Sequence, residues 1–369
     1  MGNKLRVGIL GATGAVGQNY AVLLENHPWF DITYLAASPK SAGKPFAEAV
    51  KGKWFMDRDI PKSLVDLVVG DAGHPPAAFG KCDFVFSSYE GTKEEIQKTE
   101  MEYAKAGFPV VSNNSAHRWT EDVPMIIPEI NAYHLQIIPI QQDNRGFTNG
   151  FVVTKPNCSI QSFMTPVYAL MEQGYFPREL NVVTMQAVSG AGYPGVPSLD
   201  MIDNIVPYIG GEEDKTEKEP LKIFGDLVVV DRKINSVSSE GLKIRARCTR
   251  VPVIDGHTAC VTLQFDSSAH NYSYPSLDNV KQIWEDFEGL PQKLSLPSAP
   301  NPAIIYRKEE NRPQPRKDRM AGNGMAVTVG GLKDYGDRYS FVGLSHNTIR
   351  GAAGGAILTA ELLKAKGYL

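Results

Sequence analysis

The chain opens on a short continuous apolar run, Val7-Gly8-Ile9-Leu10, followed by a glycine-rich turn and by Ala15 to Asn26, whose apolar positions recur at helical spacing. A buried strand, a tight turn and an amphipathic helix in that order make one parallel βαβ unit. The alternation continues through strand candidates Ile32 to Ala36, Val65 to Val69, Phe84 to Ser87 and Pro109 to Ser112, with a polar helix from Lys93 to Ala106 between the last two. It predicts a doubly wound parallel sheet in an α/β protein. After Gly150 the strand patterns lengthen: Phe151 to Thr154, Val182 to Ala187, Ile244 to Val253, Thr258 to Phe265 and Met325 to Val329. These predict a second domain of α+β type. Asn347 to Lys366 opens on an N-cap residue and is rich in Ala and Leu, which predicts a helix, and Gly351, Gly354 and Gly355 leave room for close packing against the first domain. The charged run Glu212 to Glu219 and the Pro-rich stretch Pro291 to Pro315 read as surface segments.

A length of 369 residues suits two domains, and 42% hydrophobic with 21% charged residues is ordinary globular composition. The net charge of -3, with no basic block, argues against nucleic acid or an anionic membrane as the main partner. No apolar run approaches the roughly 20 residues that span a bilayer, and the start, Met1 to Arg6, lacks a signal-peptide core, so a cytoplasmic location is expected. Cys82, Cys158, Cys248 and Cys260 are too scattered for a disulfide framework, and no His, Cys or carboxylate set has metal-ligand spacing.

Between the first strand and helix lies Gly11-Ala12-Thr13-Gly14-Ala15-Val16-Gly17. Small residues there let backbone N–H groups approach a dinucleotide pyrophosphate at the helix N-terminus, a Rossmann-type site. The spacing, GxxGxxG, is shifted from the usual GxGxxG. The second strand ends without the acidic residue that would accept from a ribose hydroxyl; Ser38, Lys40 and Ser41 stand there instead and suit a 2′-phosphate, hence NADP. A polar loop without cofactor contact is the plainer alternative.

Lys155-Pro156-Asn157-Cys158-Ser159 ends a strand and starts a helix with apolar positions Ile160, Phe163, Met164, Val167 and Leu170. Cys158 at that helix start is expected to have a lowered pKa and to serve as a nucleophile, with inert core as the alternative. Cys82, Cys248 and Cys260 lie inside strand patterns and read as core. Asp255-Gly256 between two strand patterns signals a hairpin, in which Arg250 pairs with Val261 and points from the same apolar face as His257. Such a cation needs a partner, either a substrate carboxylate or an internal acid. His27, His74, His134 and His270 read as surface residues, and His117 and His346 as structural ones.

Together the segments Gly11 to Gly17, Ser38 to Ser41, Ser112 to Arg118, Pro156 to Ser159, Gln186 to Gly192, Gly211 to Lys215, Arg250 to His257 and Asn347 to Ala353 resemble aspartate-β-semialdehyde dehydrogenase, in its archaeal and fungal branch. The resemblance implies a glyceraldehyde-3-phosphate dehydrogenase-like architecture, with residues 1–156 and 346–369 as the NADP-binding domain and 157–345 as the catalytic and dimerisation domain. It also implies NADPH-dependent reduction of aspartyl-β-phosphate to the semialdehyde, on the way to lysine, methionine and threonine, by a homodimer or homotetramer. Cys158 would be the nucleophile, His257 the acid/base, and Gln186 would position the acyl group. Arg250 would take the substrate α-carboxylate and Glu212 its amino group. Lys215, Arg118 and Asn114 would hold phosphate. Besides the glycine turn, Ser87 would meet the adenine end of the cofactor and Ser189, Gly190 and Asn347 the nicotinamide end. From the charge run alone, Glu212 and Lys215 read as a solvated helical face, and Gln186 as a strand residue bonded in the core. The alternatives are a related reductase of N-acetylglutamyl phosphate or malonyl-CoA, which would not need Glu212, and a non-catalytic NADP-binding regulatory protein.

Overall fold

The computed structural model describes residues 4–265 and 274–369; the expectation for His270 lies outside them. Six strands form the first sheet: β1 (Leu5–Leu10), β2 (Phe30–Ala37), β3 (Val69–Asp71), β4 (Phe84–Ser87), β5 (Pro109–Ser112) and β6 (Phe151–Thr154). All pairs are parallel, in the order β3-β2-β1-β4-β5-β6. The order reverses between β1 and β4, so a crevice opens at their carboxyl ends, beside the glycine turn. Val65 proves to lie in the connection before β3, where Ala47 N–H bonds Val65 O and Phe46 N–H bonds Leu67 O. Of that apolar run only Val69 enters β3, and Val68 is exposed.

The second sheet contains β7 (Pro177–Gln186), β10 (Lys243–Arg250), β11 (His257–Phe265), β12 (Ile304–Arg307), β13 (Val327–Asp334) and β14 (Tyr339–Ser345), in the order β10-β7-β11-β14-β13-β12. A short ribbon, β8 (Asp226–Val228) with β9 (Lys233–Asn235), stands apart. Helices Met164–Glu172 and Leu277–Asp286 cover one face, where Met164, Val167, Trp284, Val182, Val261 and Phe341 share a core. The opposite face leaves Val183 and Cys260 exposed. Cys260 is therefore not core: strand alternation turned it outward, away from Val261. Cys82 and Cys248 are buried.

The Asp255-Gly256 hairpin does not form. β7 inserts between the two strands, pairing parallel with β10 and antiparallel with β11. After Arg250 the chain runs beside Ala187 to Ser189, with Val188 N–H bonded to Val253 O, before Gly256 turns it at φ 104°. The helix near the C-terminus begins at Gly354, not Asn347, because a wide turn over Ile349–Ala353, broken at Ala352, precedes it. Its Ile357, Leu358, Leu362 and Leu363 belong to the core of the first sheet.

His27 and His134 are buried rather than superficial. His27 Nε2 meets Glu361 Oε1 at 2.8 Å, and His134 bonds Gly225 O through Nε2 at 2.9 Å and Asn131 through Nδ1. His117 is likewise buried, against Thr120 and Gln97 O. The Pro-rich stretch also turns inward, with Pro291, Leu296 and Ala303 buried. Burial pushes the His117 and His134 imidazoles down to about 4. A folded pKa below the unfolded value of about 6.5 means that the unfolded chain binds protons first as pH falls. The contribution of these two groups to stability is therefore complete above pH about 6.5 and is lost progressively toward about 4. The expected result is a thermal midpoint that falls between pH about 6.5 and about 5.5, above the range where most carboxylates titrate. Scanning calorimetry across that interval checks it.

Candidate active site

Register places the chemistry. Arg250 at the end of β10 lies opposite Gln186 of β7, Thr258 of β11 lies opposite Met185, and His257 lies opposite Ser345. Arg250, Gln186 and His257 therefore share one row across three strands and point from one face. The sequence expectation of a shared face holds by this route, although the hairpin invoked for it is absent. Into this row projects Cys158, whose Sγ is 3.3 Å from His257 Nε2.

Cys158 does not cap a long helix. It precedes a four-residue 3₁₀ turn, Ser159–Ser162, and the α-helix starts only at Met164 after a break at Phe163. One such turn carries little aligned dipole. The expected lowering of the thiol pKa is overturned: burial, and then the Glu212 charge, push it up to about 11, against the opposing pull of Lys155, Arg118 and Arg250. His257 is fully buried and pushed down to about 3, first by burial and then by Arg250. Its Nδ1 accepts from Ala187 N–H at 3.0 Å. The neutral ring consequently presents Nε2–H toward sulfur and can donate there.

Arg250 donates through Nη1 to Ala187 O at 2.9 Å, is 7% exposed, and has no acidic partner among the described residues. Of the two candidate partners, the internal acid is absent there. Gly190 closes the site: a Cβ at that residue would lie 2.8 Å from Arg250 Nη1 and 2.9 Å from His257 Cε1.

The helix Glu212–Ile223 presents Glu212, Thr216 and Glu219 inward, so the charged run is not a solvated face. Glu212 Oε1 accepts from Lys215 Nζ at 2.7 Å and from Asn157 Nδ2 at 3.1 Å, and its Oε2 accepts from Gln186 Nε2 at 3.2 Å. Glu219 bonds Asn157 N–H and pairs with Arg118 at 2.8 Å. Arg118 also donates to Lys155 O and Asn113 O, and three of its five N–H groups are thereby committed. Asn157 and Glu219, which hold the loop before Cys158, carried no sequence signal beyond proximity to the motif.

Ser87 and Asn114 do not face the crevice with their side chains. Both donate to the buried Glu100 Oε1, at 2.7 and 2.9 Å, as does Ser112 at 2.6 Å. Glu100, 13 residues beyond Ser87 in a helix, competes successfully because a fully buried carboxylate needs donors. It ties together the carboxyl ends of β4 and β5.

The dinucleotide fit is tested on the glycine turn. Gly14 precedes the helix Ala15–Leu23 with no side-chain cap and no acidic residue in its first turn, which leaves the N–H groups of Ala15, Val16 and Gly17 without capping acceptors. Thr13 to Val16 are partly exposed. A Cβ at Gly11 would strike Ser88 O, and one at Gly14 would meet the Glu90 carboxylate at 2.7 Å. Uncapped N–H groups beside so close a backbone approach suit an anion such as a pyrophosphate. Ser38 and Lys40 are exposed beyond β2, whereas Ser41 is buried. At the other end Asn347 accepts from Gly256 N–H and donates to Ser189 Oγ, each at 2.8 Å. His346 lies buried next to it. Among the described residues no cluster could hold a metal ion, and no helix is long and apolar enough to cross a membrane.

Two family models match the chain: Semialdehyde dehydrogenase, NAD binding domain, over residues 6–138, and Semialdehyde dehydrogenase, dimerisation domain, over residues 167–350. Aspartate-semialdehyde dehydrogenase of Archaeoglobus fulgidus is 45% identical over 98% of each chain, and that of Aspergillus fumigatus is 42% identical over 99% of each. The crystal structure of the Candida albicans enzyme with NADP superposes with a TM-score of 0.89 at 38% identity over all of both chains.

Proposed function

Because the chain belongs to the aspartate-semialdehyde dehydrogenase family, we propose that it reduces L-aspartyl-β-phosphate to L-aspartate-β-semialdehyde with NADPH through a thioester on Cys158. The observation that carries this reading is the 3.3 Å approach of Cys158 to His257 in a row whose Arg250 has no acidic partner among the described residues. The Cys158 thiolate attacks the acyl carbon, and the C–O bond to phosphate breaks. NADPH, when bound, supplies the hydride that turns thioester into thiohemiacetal. His257 holds the developing oxyanion with a hydrogen bond from Nε2–H, and the oxyanion collapses with cleavage of the C–S bond to release aldehyde and thiolate. Arg250 clamps the α-carboxylate bidentately, and Glu212 takes the amino group, already oriented by Asn157 and Gln186. Lys215 and Arg118 serve the phosphate, and Asn114, bonded to Glu100, shapes the loop that carries Arg118.

The glycine turn holds the pyrophosphate, Ser38 and Lys40 the 2′-phosphate, and Ser189, Gly190 and Asn347 the nicotinamide end. Ser87 acts through Glu100 to shape the crevice. Residues 1–156 with 346–369 form the cofactor domain, and 157–345 the catalytic and dimerisation domain. The open face of the second sheet, with Val183 and Cys260 exposed, suits a homodimer or a pair of dimers. The place of action is the cytoplasm, as for soluble amino-acid biosynthesis. The test is reduction of NADP by aspartate semialdehyde. Turnover that requires phosphate and falls at least tenfold with NAD is expected; phosphate-independent turnover overturns the acyl-phosphate assignment.

A further inference from the structure

Phe55 and Tyr193 stack face to face, with ring centroids 5.1 Å apart and planes 10° from parallel. Yet Phe55 is 38% and Tyr193 57% exposed, and neither ring belongs to a hydrophobic core. The two come from loops of different domains.

Each ring is tied to one end of the crevice. On the Phe55 side the tie is Gln18, 1% exposed in the helix Ala15–Leu23. Its Oε1 accepts from Phe55 N–H at 3.2 Å, while its Nε2 donates to Lys53 O at 3.0 Å and to Thr13 O at 3.1 Å. One buried amide thus fastens the loop that carries Phe55 to the glycine turn. Trp54 stiffens the same loop, donating through Nε1 to Arg58 O at 2.7 Å and standing edge-on to Phe46. On the other side Tyr193 shortly follows Gly190, the residue that closes against Arg250 and His257. That turn is held as well: Val188 N–H bonds Val253 O, Ser189 N–H bonds Ile254 O, and Asn347 donates to Ser189 Oγ.

The stack therefore joins the glycine turn, which suits a pyrophosphate, to the turn at Ser189 and Gly190, which suits a nicotinamide. An ordinary contact between domains gains its free energy from apolar area removed from water. Rings this exposed gain little in that way. What they do gain is the face-to-face contact, which lasts only while the two loops stay together.

We propose that Phe55 and Tyr193 are positioning residues that form a clasp, holding the two loops together over a bound nicotinamide dinucleotide and parting when it leaves. The inference rests on the reading that the dinucleotide stretches from the glycine turn to Gly190. Neither ring has to touch the reacting atoms.

The experiment is stopped-flow release of NADPH from the full-length enzyme, followed by its fluorescence as excess NADP displaces it. The proteins are the parent, Phe55→Ala, Tyr193→Ala, the double alanine variant and Tyr193→Phe. Each alanine variant is expected to release NADPH roughly 2- to 10-fold faster, the scale of one aromatic pair. The double variant should be no faster than the faster single one, because both substitutions break the same contact. Tyr193→Phe keeps the ring and should release at the parent rate. Unchanged release from either alanine variant, or accelerations that multiply in the double variant, overturns the clasp, as does a Tyr193→Phe enzyme as fast as Tyr193→Ala. A lowered thermal midpoint with release unaltered reassigns the stack to domain packing. A folded parent that binds no NADPH is a separate failure, that of the cofactor reading itself, and shows as the lack of any release signal in all five proteins.

Discussion

Cys158→Ser is expected to lower kcat by at least about a thousandfold, or about 4 kcal/mol of transition-state free energy, while folding and NADP binding persist. The reason is that sulfur serves both halves of the reaction. A thioester accepts hydride more readily than an ester, and a thiolate leaves a thiohemiacetal more readily than an alkoxide leaves a hemiacetal. The surroundings sharpen the contrast, because burial already opposes ionisation of the thiol and would oppose that of a hydroxyl still more. The Sγ position itself is set by backbone contacts, Asn157 N–H to Glu219 and Gly351 against Cys158 Cβ, which the substitution leaves alone. Single-turnover kinetics with calorimetric NADP titration checks both parts. A serine enzyme within tenfold of the parent rate rules out the covalent route.

Arg250→Lys is expected to raise KM for the semialdehyde by roughly 10- to 100-fold, in line with loss of a charge-assisted bidentate pair, and to lower kcat as well. The effect on KM follows from replacing a planar fork by a point charge. The effect on kcat has a structural cause: Arg250 Nη1 bonds Ala187 O, and the same residue's N–H bonds His257 Nδ1. Removing the guanidinium loosens the peptide that selects the His257 tautomer. KM for NADP should stay near the parent value, because the glycine turn is a separate element. Steady-state kinetics with each substrate varied in turn is the measurement, and unchanged constants take Arg250 out of the site.

The two errors in reading charges and turns have a common origin. Asp255-Gly256 has hairpin chemistry, but a turn signal says only that the chain reverses, not which strand lies alongside afterwards; here β7 takes the place between β10 and β11. The run Glu212 to Glu219 looks solvated because adjacent charges dominate it, while helical spacing puts Glu212, Thr216 and Glu219 on one buried face. Cys260 was misread as core for a related reason: a strand pattern gives alternation, not which face a second layer will cover.

What the sequence by itself determined was local and periodic: β1, β2, β4 and β5 of the first sheet, though not the place of β3 or that β6 joins this sheet instead of the second, the glycine turn at its crevice, the strand preceding Cys158, and the residue types able to do acyl and hydride chemistry. Tertiary structure alone decided which of those residues meet. Ala187 lies 70 residues from the imidazole whose tautomer it selects, and Glu212 lies 55 residues from Asn157. Gly351 meets the Lys155 amine from 196 residues away. Ionisation follows from burial and from the nearest charges, and both exist only after distant segments have packed together. That is why the sulfur could be identified from its motif while its protonation could not.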